Sequence, residues 1–354
     1  MALDNSKILI VGGAGFVGSN LTHHLLKSHE PDQIWIVDNL LSADSSNIGT
    51  DSRIKFLAGS ITDDLILAQL PSDLHYVFHL ACYHGNQSSI ADPIADHDNN
   101  TFTTLKLLEA IKGFQSLECV VYAAAGCAVA EKTFDNAKPV LEDAPVSLFH
   151  DSPYSISKLV GEMYGNYYFE RYGLPFVKAR FQNVYGPGEI LGAGDWRGTV
   201  HTIWRNVIPT FIWRALHKES LPLDNAGQGS RDFIYVEDLV RGLVLCATQG
   251  IGGQAYNLAS GVETNILSLA NCINRIADNE TAHDMKPARD WDRSGCRFGS
   301  TDKSRRELDF FASVTLEEGI QKTVDWAREN RTRIAEIMAR HSEHLPNVTT
   351  YLQG

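Results

Sequence analysis

The sequence predicts an α/β protein built around a doubly wound parallel sheet. Short apolar runs of four or five residues recur through the first half of the chain, as expected of strands that are buried on both faces. Amphipathic stretches long enough for helices lie between these runs, and such alternation is typical of parallel strands joined by crossover helices. With 354 residues, 44% of them hydrophobic and 21% charged, the chain is expected to form one two-lobed unit or two domains.

The predicted elements follow one another in a regular order. The predicted strands are residues 7–11, 34–37, 54–57, 76–80, 119–123 and 176–179, and the predicted helices are residues 20–28, 101–111 and 155–171. After residue 180 come Gly- and Trp-rich sequence, a helical stretch that ends near His217 and a turn-rich segment. Residues 233–247 and 254–258 then return to the sheet, and the chain is helical from Ile266. We therefore predict a sheet domain of residues 1–185 plus about 232–262, and a smaller lobe of residues 186–231 and 263–354.

A glycine-rich turn directly follows the first predicted strand and precedes the first predicted helix. Its sequence, Gly13-Ala14-Gly15-Phe16-Val17-Gly18, fits G-x-G-x-x-G, in which glycines let the backbone approach a pyrophosphate at a helix N-terminus. Asp38 ends the second strand 20 residues after Gly18, where a carboxylate binds the adenosine ribose and repels a 2′-phosphate. The pattern favours NAD over NADP; the alternative is a structural glycine turn beside a surface aspartate. The residues predicted to hold the dinucleotide here are Gly12, Gly15, Phe16, Val17, Gly18, Asp38 and Asn39.

Tyr154 and Lys158 stand four residues apart at the start of the helix that follows the fifth strand. An ammonium on the same helix face stabilises a phenolate that otherwise forms only near pH ~10. The alternative is a pair of solvated helix residues. Their position, on the same chain as the glycine turn, favours a hydride-transfer site in which Tyr154 is the base.

Two further segments complete a family pattern. Asn183-Val184-Tyr185-Gly186-Pro187 follows the sixth strand, and Arg231-Asp232-Phe233 begins a segment that ends in Asp238. From residue 7 to about residue 330 the chain resembles the extended short-chain dehydrogenase/reductase family, specifically its nucleotide-sugar epimerases and dehydratases. The resemblance implies a Rossmann fold that binds NAD, with the smaller C-terminal lobe binding the substrate.

The resemblance also implies roles for individual residues. It adds Ser60, Ile61, Leu80, Ala81, Asn100, Tyr154 and Lys158 to the cofactor site, although Ser60 departs from the Asp that the family usually carries. It assigns the diphosphate of the substrate to Asn183 and Arg231, and the nucleotide of the substrate to Arg297, with Arg293 as a rival of Arg297. An arginine fork suits phosphate oxygens.

Three positions after the fifth strand depart from the family pattern. Ala125 stands where the family usually has a Ser or Thr that hydrogen-bonds the sugar 4-hydroxyl, and Gly126-Cys127 replaces the Asp-Glu pair of the 4,6-dehydratases. A cysteine at this register resembles the GDP-mannose 3,5-epimerases, where it exchanges a proton next to the transient ketone. A thiol of pKa ~8.5 serves as such a base if a neighbour lowers its pKa. The alternative is that Cys127 is a small buried residue that fills space.

The function implied is that of an NAD-dependent nucleotide-sugar epimerase working through a transient 4-keto sugar. Tyr154 and Lys158 would invert C4, or Cys127 would invert C3 or C5. The alternatives are a nucleotide-sugar dehydratase, decarboxylase or 4-dehydrogenase and, from another class, a non-catalytic NAD-binding regulatory protein. The expected partners are a UDP-, GDP- or dTDP-hexose and a second copy of the chain, because the family dimerises through the helices predicted at 101–111 and 155–171.

Composition argues against other classes of protein. A net charge of −12 without a Lys/Arg run predicts no nucleic-acid or polybasic membrane surface. The lack of an apolar stretch of ~18 residues or of an N-terminal signal pattern predicts a soluble, cytoplasmic protein. Six cysteines without CxxC spacing predict neither a disulfide framework nor a metal site.

Overall fold

A seven-stranded sheet forms the centre of the computed structural model, which describes residues 3–126, 136–290, 292 and 295–353. The strands are β1 Lys7–Val11, β2 Gln33–Asp38, β3 Ile54–Ala58, β4 Tyr76–His79, β5 Cys119–Ala125, β6 Phe176–Phe181, β7 Asn183–Tyr185, β8 Pro222–Asp224, β9 Ser230–Tyr235, β10 Ala255–Leu258, β11 Glu263–Asn265 and β12 Asp284–Lys286. All six predicted strands are present, which confirms the predicted α/β fold class with its doubly wound parallel sheet.

The helices alternate with the strands through the first half of the chain. They are α1 Phe16–Ser28, α2 Asp64–Leu67, α3 Asn86–Ala91, α4 Pro93–Asp96, α5 Thr103–Ile111, α6 Pro153–Tyr172, α7 Val207–Leu216, α8 Val236–Gln249, α9 Ile266–Ile276, α10 Asp302–Leu308, α11 Leu316–Glu329 and α12 Arg331–Ala339. One π-helical turn, His97–Phe102, leads into α5. Short 3₁₀ turns cover Ser45–Asn47, Val200–Thr202, Asn225–Gly227 and Pro346–Gln353.

The strand order in the central sheet is β3-β2-β1-β4-β5-β6-β10, and every pairing is parallel. The direction of winding reverses between β1 and β4, where Val11 pairs with His79. In open parallel sheets a ligand crevice forms outside the carboxyl ends of the strands at such a reversal. The topology therefore places the glycine-rich turn, which follows β1, at the expected position of a binding cleft.

The chain leaves the central sheet after β6 and enters a second, three-stranded sheet of order β11-β9-β7. Only Gln182 separates β6 from β7, so the two sheets are directly joined. Residues 233–247, predicted to return to the sheet domain, form the end of β9 and most of α8. That helix packs against β5 and β6 on the central sheet. A two-stranded parallel pair, β12-β8, lies in the rest of the lobe.

Separate hydrophobic cores lie in the two parts of the chain. The central sheet buries one face against α1 and α8 and the other against α5 and α6. A further core, which includes the fully buried Trp213, unites α7, α9, α11 and α12. Leu308 and Phe310, at the end of α10, pack into the core that contains α1 and α8. The domain boundaries given above remain a prediction.

Among the described helices, none is both long and apolar enough to cross a membrane.

Candidate active site

A cleft of about 970 Å³ lies at the carboxyl ends of the central strands, and residues of the C-terminal lobe line its far side. The predicted residues that line it are Gly12, Gly15, Phe16, Val17, Gly18, Asp38, Asn39, Ser60, Ile61, Leu80, Ala81, Tyr154, Lys158, Asn183, Arg231 and Arg297. Cys127 and Arg293 lie outside the described residues. The fold thus brings the residues from the glycine turn, the tyrosine helix and the arginine segment to one cavity.

The glycine-rich turn packs its backbone against neighbouring backbone. Gly12 has a φ of +87°, and a Cβ there would lie 2.5 Å from the nitrogen of Ala81. A Cβ on Gly18 would lie 2.3 Å from the carbonyl oxygen of Gly12. Real Cβ atoms do not approach backbone so closely, and a positive φ is strained for residues other than glycine. The turn therefore requires glycine at these two positions.

Gly12→Ala is expected to lower the free energy of unfolding by about 1–3 kcal/mol and to reduce the amount of bound NAD, because the turn must shift to admit a methyl group. Urea unfolding and the NAD content of the purified protein measure the two effects. Gly113→Ala is the matched control, since Gly113 is exposed and a Cβ there meets nothing within 4 Å. A Gly12→Ala protein with wild-type stability and NAD content would contradict the packing argument.

The N-terminus of α1 points into this turn without a capping side chain. Gly15 is the N-cap residue and provides no side-chain hydrogen bond to the first turn. The first N–H groups of a helix have no partner within the helix, and they carry a partial positive charge. These groups suit a pyrophosphate placed against the glycine turn.

Asp38 is fixed to the glycine turn from the end of β2. Its Oδ2 accepts a hydrogen bond from the Ala14 nitrogen at 3.0 Å, and its Oδ1 accepts one from the Leu40 nitrogen at 2.8 Å. Burial raises the pKa of Asp38, whereas these backbone N–H groups act to lower it. The carboxylate is thus preorganised to meet the ribose hydroxyls of a dinucleotide. The turn, the helix end and this carboxylate together fit NAD.

Tyr154 and Lys158 lie side by side where β5 ends. Lys158 is 3% exposed, and its Nζ donates a hydrogen bond to the carbonyl oxygen of Ala123 at 2.9 Å. The same Nζ lies 6.0 Å from the centroid of the Tyr154 ring. Tyr154 packs with Leu159 and Ala125, and Ala125 also lines the cleft. The side chain that meets the tyrosine from the end of β5 is therefore a methyl group and offers no hydroxyl.

Asn100 does not line the cleft, although the family pattern implies a cofactor contact. Its Oδ1 accepts a hydrogen bond from the Tyr83 nitrogen at 2.7 Å. Its Nδ2 donates to Asp96 Oδ1 at 2.7 Å and to Ser157 Oγ at 3.1 Å. Asn100 thus joins the loop after β4 to the tyrosine helix and acts behind the cleft wall.

The predicted substrate residues lie at the lobe side of the cleft. The Nδ2 of Asn183 donates to the Asp232 carbonyl oxygen at 3.1 Å, which holds β7 next to β9. Arg231 donates to the Gly295 carbonyl oxygen at 2.6 Å and to Asp292 Oδ2 at 3.1 Å. Arg297 is 9% exposed. Both arginines line the cleft, and the guanidinium group of Arg231 is held in place by its neighbours.

The cleft contains further polar residues that belong to no motif revealed by the sequence, among them four that are hydrogen-bonded to neighbouring groups. These four are His84 in the loop after β4, Glu189 in the loop after β7, and Arg205 and Asn206 just before α7. Arg205 donates to the carbonyl oxygens of Ser42 and Ala193, and burial lowers its pKa to about 9. The one sequence signal for these residues is their position after strand ends or before a helix.

The chain is similar to proteins whose names or structures include nucleotides or nucleotide sugars. The Bordetella bronchiseptica enzyme WbmF, solved in complex with NAD+ and UDP, is 52% identical, with a TM-score of 0.87 over 98% of both chains. The UDP-glucose 4-epimerase of Mycolicibacterium smegmatis is 30% identical over 91% of this chain and 98% of its own. The dTDP-glucose 4,6-dehydratase of Shigella flexneri is 28% identical over 94% of this chain and 95% of its own.

A family model described as the NAD dependent epimerase/dehydratase family matches residues 8–259. This match confirms the resemblance predicted from the sequence, and with the NAD-bound relative it confirms the prediction of NAD as the cofactor. By its fold, its cleft and this match, the chain belongs to the NAD-dependent epimerase/dehydratase family.

Proposed function

We propose that this protein is an NAD-dependent nucleotide-sugar epimerase that works through a transient 4-keto sugar. The observation that carries the proposal is the placement of Tyr154 and Lys158 in the same cleft as the glycine turn and Asp38. NAD, when bound, supplies the hydride acceptor and later returns the hydride. Because oxidation is followed by reduction, the cofactor is not consumed.

The protein residues handle the proton. Lys158 is held by the Ala123 carbonyl next to Tyr154, so its positive charge favours the phenolate form of the tyrosine. The phenolate takes the proton of the sugar 4-hydroxyl as the carbon is oxidised, and it gives the proton back on reduction. The methyl group of Ala125 contributes nothing to this transfer.

The proposed substrate is a nucleotide-diphosphate hexose. Arg231 and Asn183 would bind the diphosphate, and Arg297 would bind the nucleotide. Support comes from relatives: WbmF was solved with UDP, and the Mycolicibacterium smegmatis relative is a UDP-glucose 4-epimerase. The turn at α1 takes the other pyrophosphate, that of NAD, so the two anionic groups have separate sites.

The choice of an epimerase over a dehydratase rests on two residues. A 4,6-dehydratase carries an Asp-Glu pair where this chain has Gly126 and Cys127, so elimination of water lacks its acid. With Gly126 and Cys127 at these positions, an epimerase has two possible reactions. It would invert C4, or Cys127 would exchange a proton at C3 or C5.

A panel of UDP-, GDP- and dTDP-hexoses incubated in deuterated water tests the proposal. Inverted product without deuterium indicates C4 inversion, and deuterium at C3 or C5 indicates Cys127. Loss of water or carbon dioxide from the sugar, or accumulation of NADH, would instead indicate the dehydratase, decarboxylase or dehydrogenase alternative. Bound NAD without turnover of any sugar would favour the non-catalytic regulatory protein.

We further propose that the protein is a homodimer in which α6 packs against its copy. Ile156, Met163 and Tyr167 lie on one face of α6 at helical spacing, and each is about half exposed. Ile94 on α4 and Phe102 in the π-helical turn that precedes α5 are also exposed. Exposed apolar side chains clustered on one face are typical of a contact between subunits.

Met163→Glu is expected to shift the protein from dimer to monomer, because it buries a charge in the proposed contact. Sedimentation velocity measures the change. Met285→Glu is the matched control, since Met285 has nearly the same exposure, 56% against 54%, but lies on β12 in the C-terminal lobe. A wild-type protein that is monomeric, or a Met163→Glu protein that stays dimeric, would refute this arrangement.

A further inference from the structure

A chain of hydrogen-bonded side chains adjoins Tyr154 and is not used by the proposed function. The imidazole of His84 lies edge-on to the Tyr154 ring, with 5.9 Å between ring centroids and 81° between ring planes. The Nε2 of His84 is 3.0 Å from Oδ1 of Asn206, and Nδ2 of Asn206 donates to Oε1 of Glu189. His84, Asn206 and Glu189 all line the cleft, and they come from three separate segments of the chain.

Glu189 has a carboxyl oxygen that the described part of the protein does not satisfy. The residue is 8% exposed, and its Oε2 is shielded from solvent without a hydrogen-bond partner among the described residues. A buried oxygen without a hydrogen-bond partner costs free energy, so a group that needs such an acceptor would be bound there favourably. Burial raises the pKa of Glu189. Asn206 spans the distance between this carboxyl group and His84.

The orientation of the Asn206 amide fixes the tautomer of His84. Because Nδ2 of Asn206 donates to Glu189, its Oδ1 must accept, and the proton of a neutral His84 therefore sits on Nε2. Nδ1 of His84 is then an acceptor, and it makes no hydrogen bond within the described residues. An imidazole held in one tautomer by its second nitrogen is the arrangement that general acid–base catalysis uses.

Burial, with the charges of two nearby arginines, keeps His84 neutral near pH 7. Burial lowers the pKa of His84, and Arg205 and Arg197 act in the same direction. The hydrogen bond to Asn206 and the charge of Glu189 act in the opposite direction. Tyr154 is the titratable residue whose ring contacts the imidazole of His84. Together these effects lower the pKa of His84, so the neutral, basic form of the imidazole predominates at any pH above the ordinary value of ~6.5.

We propose that His84 is a second acid–base residue of this site, which accepts the sugar-hydroxyl proton from Tyr154 at Nδ1, and that Asn206 and Glu189 position it. The proposal rests on the proposed function. His84 would then be the second proton carrier of the site, a role that the methyl group of Ala125 next to Tyr154 cannot fill.

The proton step balances without any further reactant. The hydroxyl O–H bond breaks as the phenolate oxygen of Tyr154 forms its own O–H bond, and that proton then moves to Nδ1 of His84. An imidazolium forms transiently and returns the proton when the ketone is reduced. The step changes no oxidation state.

His84→Gln tests the proposal through kinetics. We expect kcat to fall by about 10²-fold with little change in KM, since loss of a general acid–base group acts on the transition state. In the wild type, activity is expected to fall as the pH drops through the His84 pKa, below ~6.5, and this acidic limb is expected to vanish in the variant. Adding Ala125→Ser to His84→Gln is expected to raise kcat about tenfold above that of His84→Gln alone, because serine supplies a hydroxyl at the end of β5.

His283→Gln is the matched control. His283 also pairs with an asparagine, with Nε2 2.9 Å from Oδ1 of Asn271, but it lies outside the cleft. This variant is expected to keep the wild-type rate and pH profile. A His84→Gln protein that keeps both would overturn the proposal while leaving the proposed function standing.

Nitrogen NMR of ¹⁵N-histidine-labelled protein with bound NAD provides a readout that needs no turnover. We expect His84 as the Nε2–H tautomer with a pKa below ~6.5, and we expect Tyr154→Phe to change its titration. His84 protonated at Nδ1, or a titration insensitive to Tyr154, would overturn the inference. If no nucleotide sugar is turned over, the proposed function fails, and the tautomer and titration still decide whether His84 is coupled to Tyr154.

Discussion

Replacement of Tyr154 by phenylalanine is expected to lower kcat by about 10³-fold while NAD remains bound. The phenol oxygen is the proposed base for the sugar hydroxyl, and general acid–base catalysis contributes roughly 10²- to 10⁴-fold. The ring itself remains, so its packing with Leu159 and Ala125 and its contact with His84 are preserved. The measurement is kcat on the sugar identified by the panel, together with NAD released on denaturation.

Tyr172→Phe is the control for this experiment, because it removes the same atom from the same helix outside the cleft. Its kcat is expected to stay within about twofold of the wild type, as for a surface change away from the site. A Tyr154→Phe enzyme that keeps a tenth or more of the activity would show that the base is another group. If Tyr154→Phe also loses NAD, the fall in kcat would reflect lost cofactor binding. That outcome would contradict the expectation that the phenol oxygen acts in proton transfer and is not needed to bind NAD.

The strands that the sequence pattern predicted are those whose residues are mostly apolar. The strand predicted at 7–11 coincides with β1, and the strands predicted at 119–123 and 176–179 run two residues further in β5 and β6. The extension of β6 contains Arg180, which is the second charged residue of this strand after Lys178. In the fold, a carboxylate from α6 neutralises that charge, so the strand continues in the buried sheet. Such pairing between distant segments is invisible in a local pattern.

The same reasoning explains which parts of the site could be predicted. The glycine turn and the Tyr154–Lys158 pair are local patterns with a mechanism, so their spacing was informative. The contact between His84 and Asn206 joins residues 122 positions apart and depends on tertiary structure alone. For Asn100, in contrast, a sequence motif implied a cofactor contact, whereas the structure shows that its side chain is hydrogen-bonded to Tyr83 and Ser157.

The ion pair between Glu162 and Arg180 ties the tyrosine helix to the central sheet. The Nε of Arg180 donates to Oε1 at 2.9 Å and its Nη2 donates to Oε2 at 2.8 Å, so the contact is bidentate. The two side chains are 5% and 7% exposed. Removing one partner of such a pair leaves a buried charge without its counterpart, which costs about 3–5 kcal/mol.

Glu162→Gln is therefore expected to lower the free energy of unfolding by about 3–5 kcal/mol, measured by urea denaturation. Asp64→Asn is the control, because it breaks the exposed pair of Asp64 with Lys106, in which the carboxylate is 85% exposed, and is expected to cost less than about 1 kcal/mol. The double variant Glu162→Gln/Arg180→Met is expected to be more stable than Glu162→Gln alone, since it removes the stranded charge as well. If Glu162→Gln costs no more than Asp64→Asn, or if adding Arg180→Met lowers stability further, the loss does not come from an uncompensated buried charge. The link between the tyrosine helix and the sheet would then depend on apolar packing.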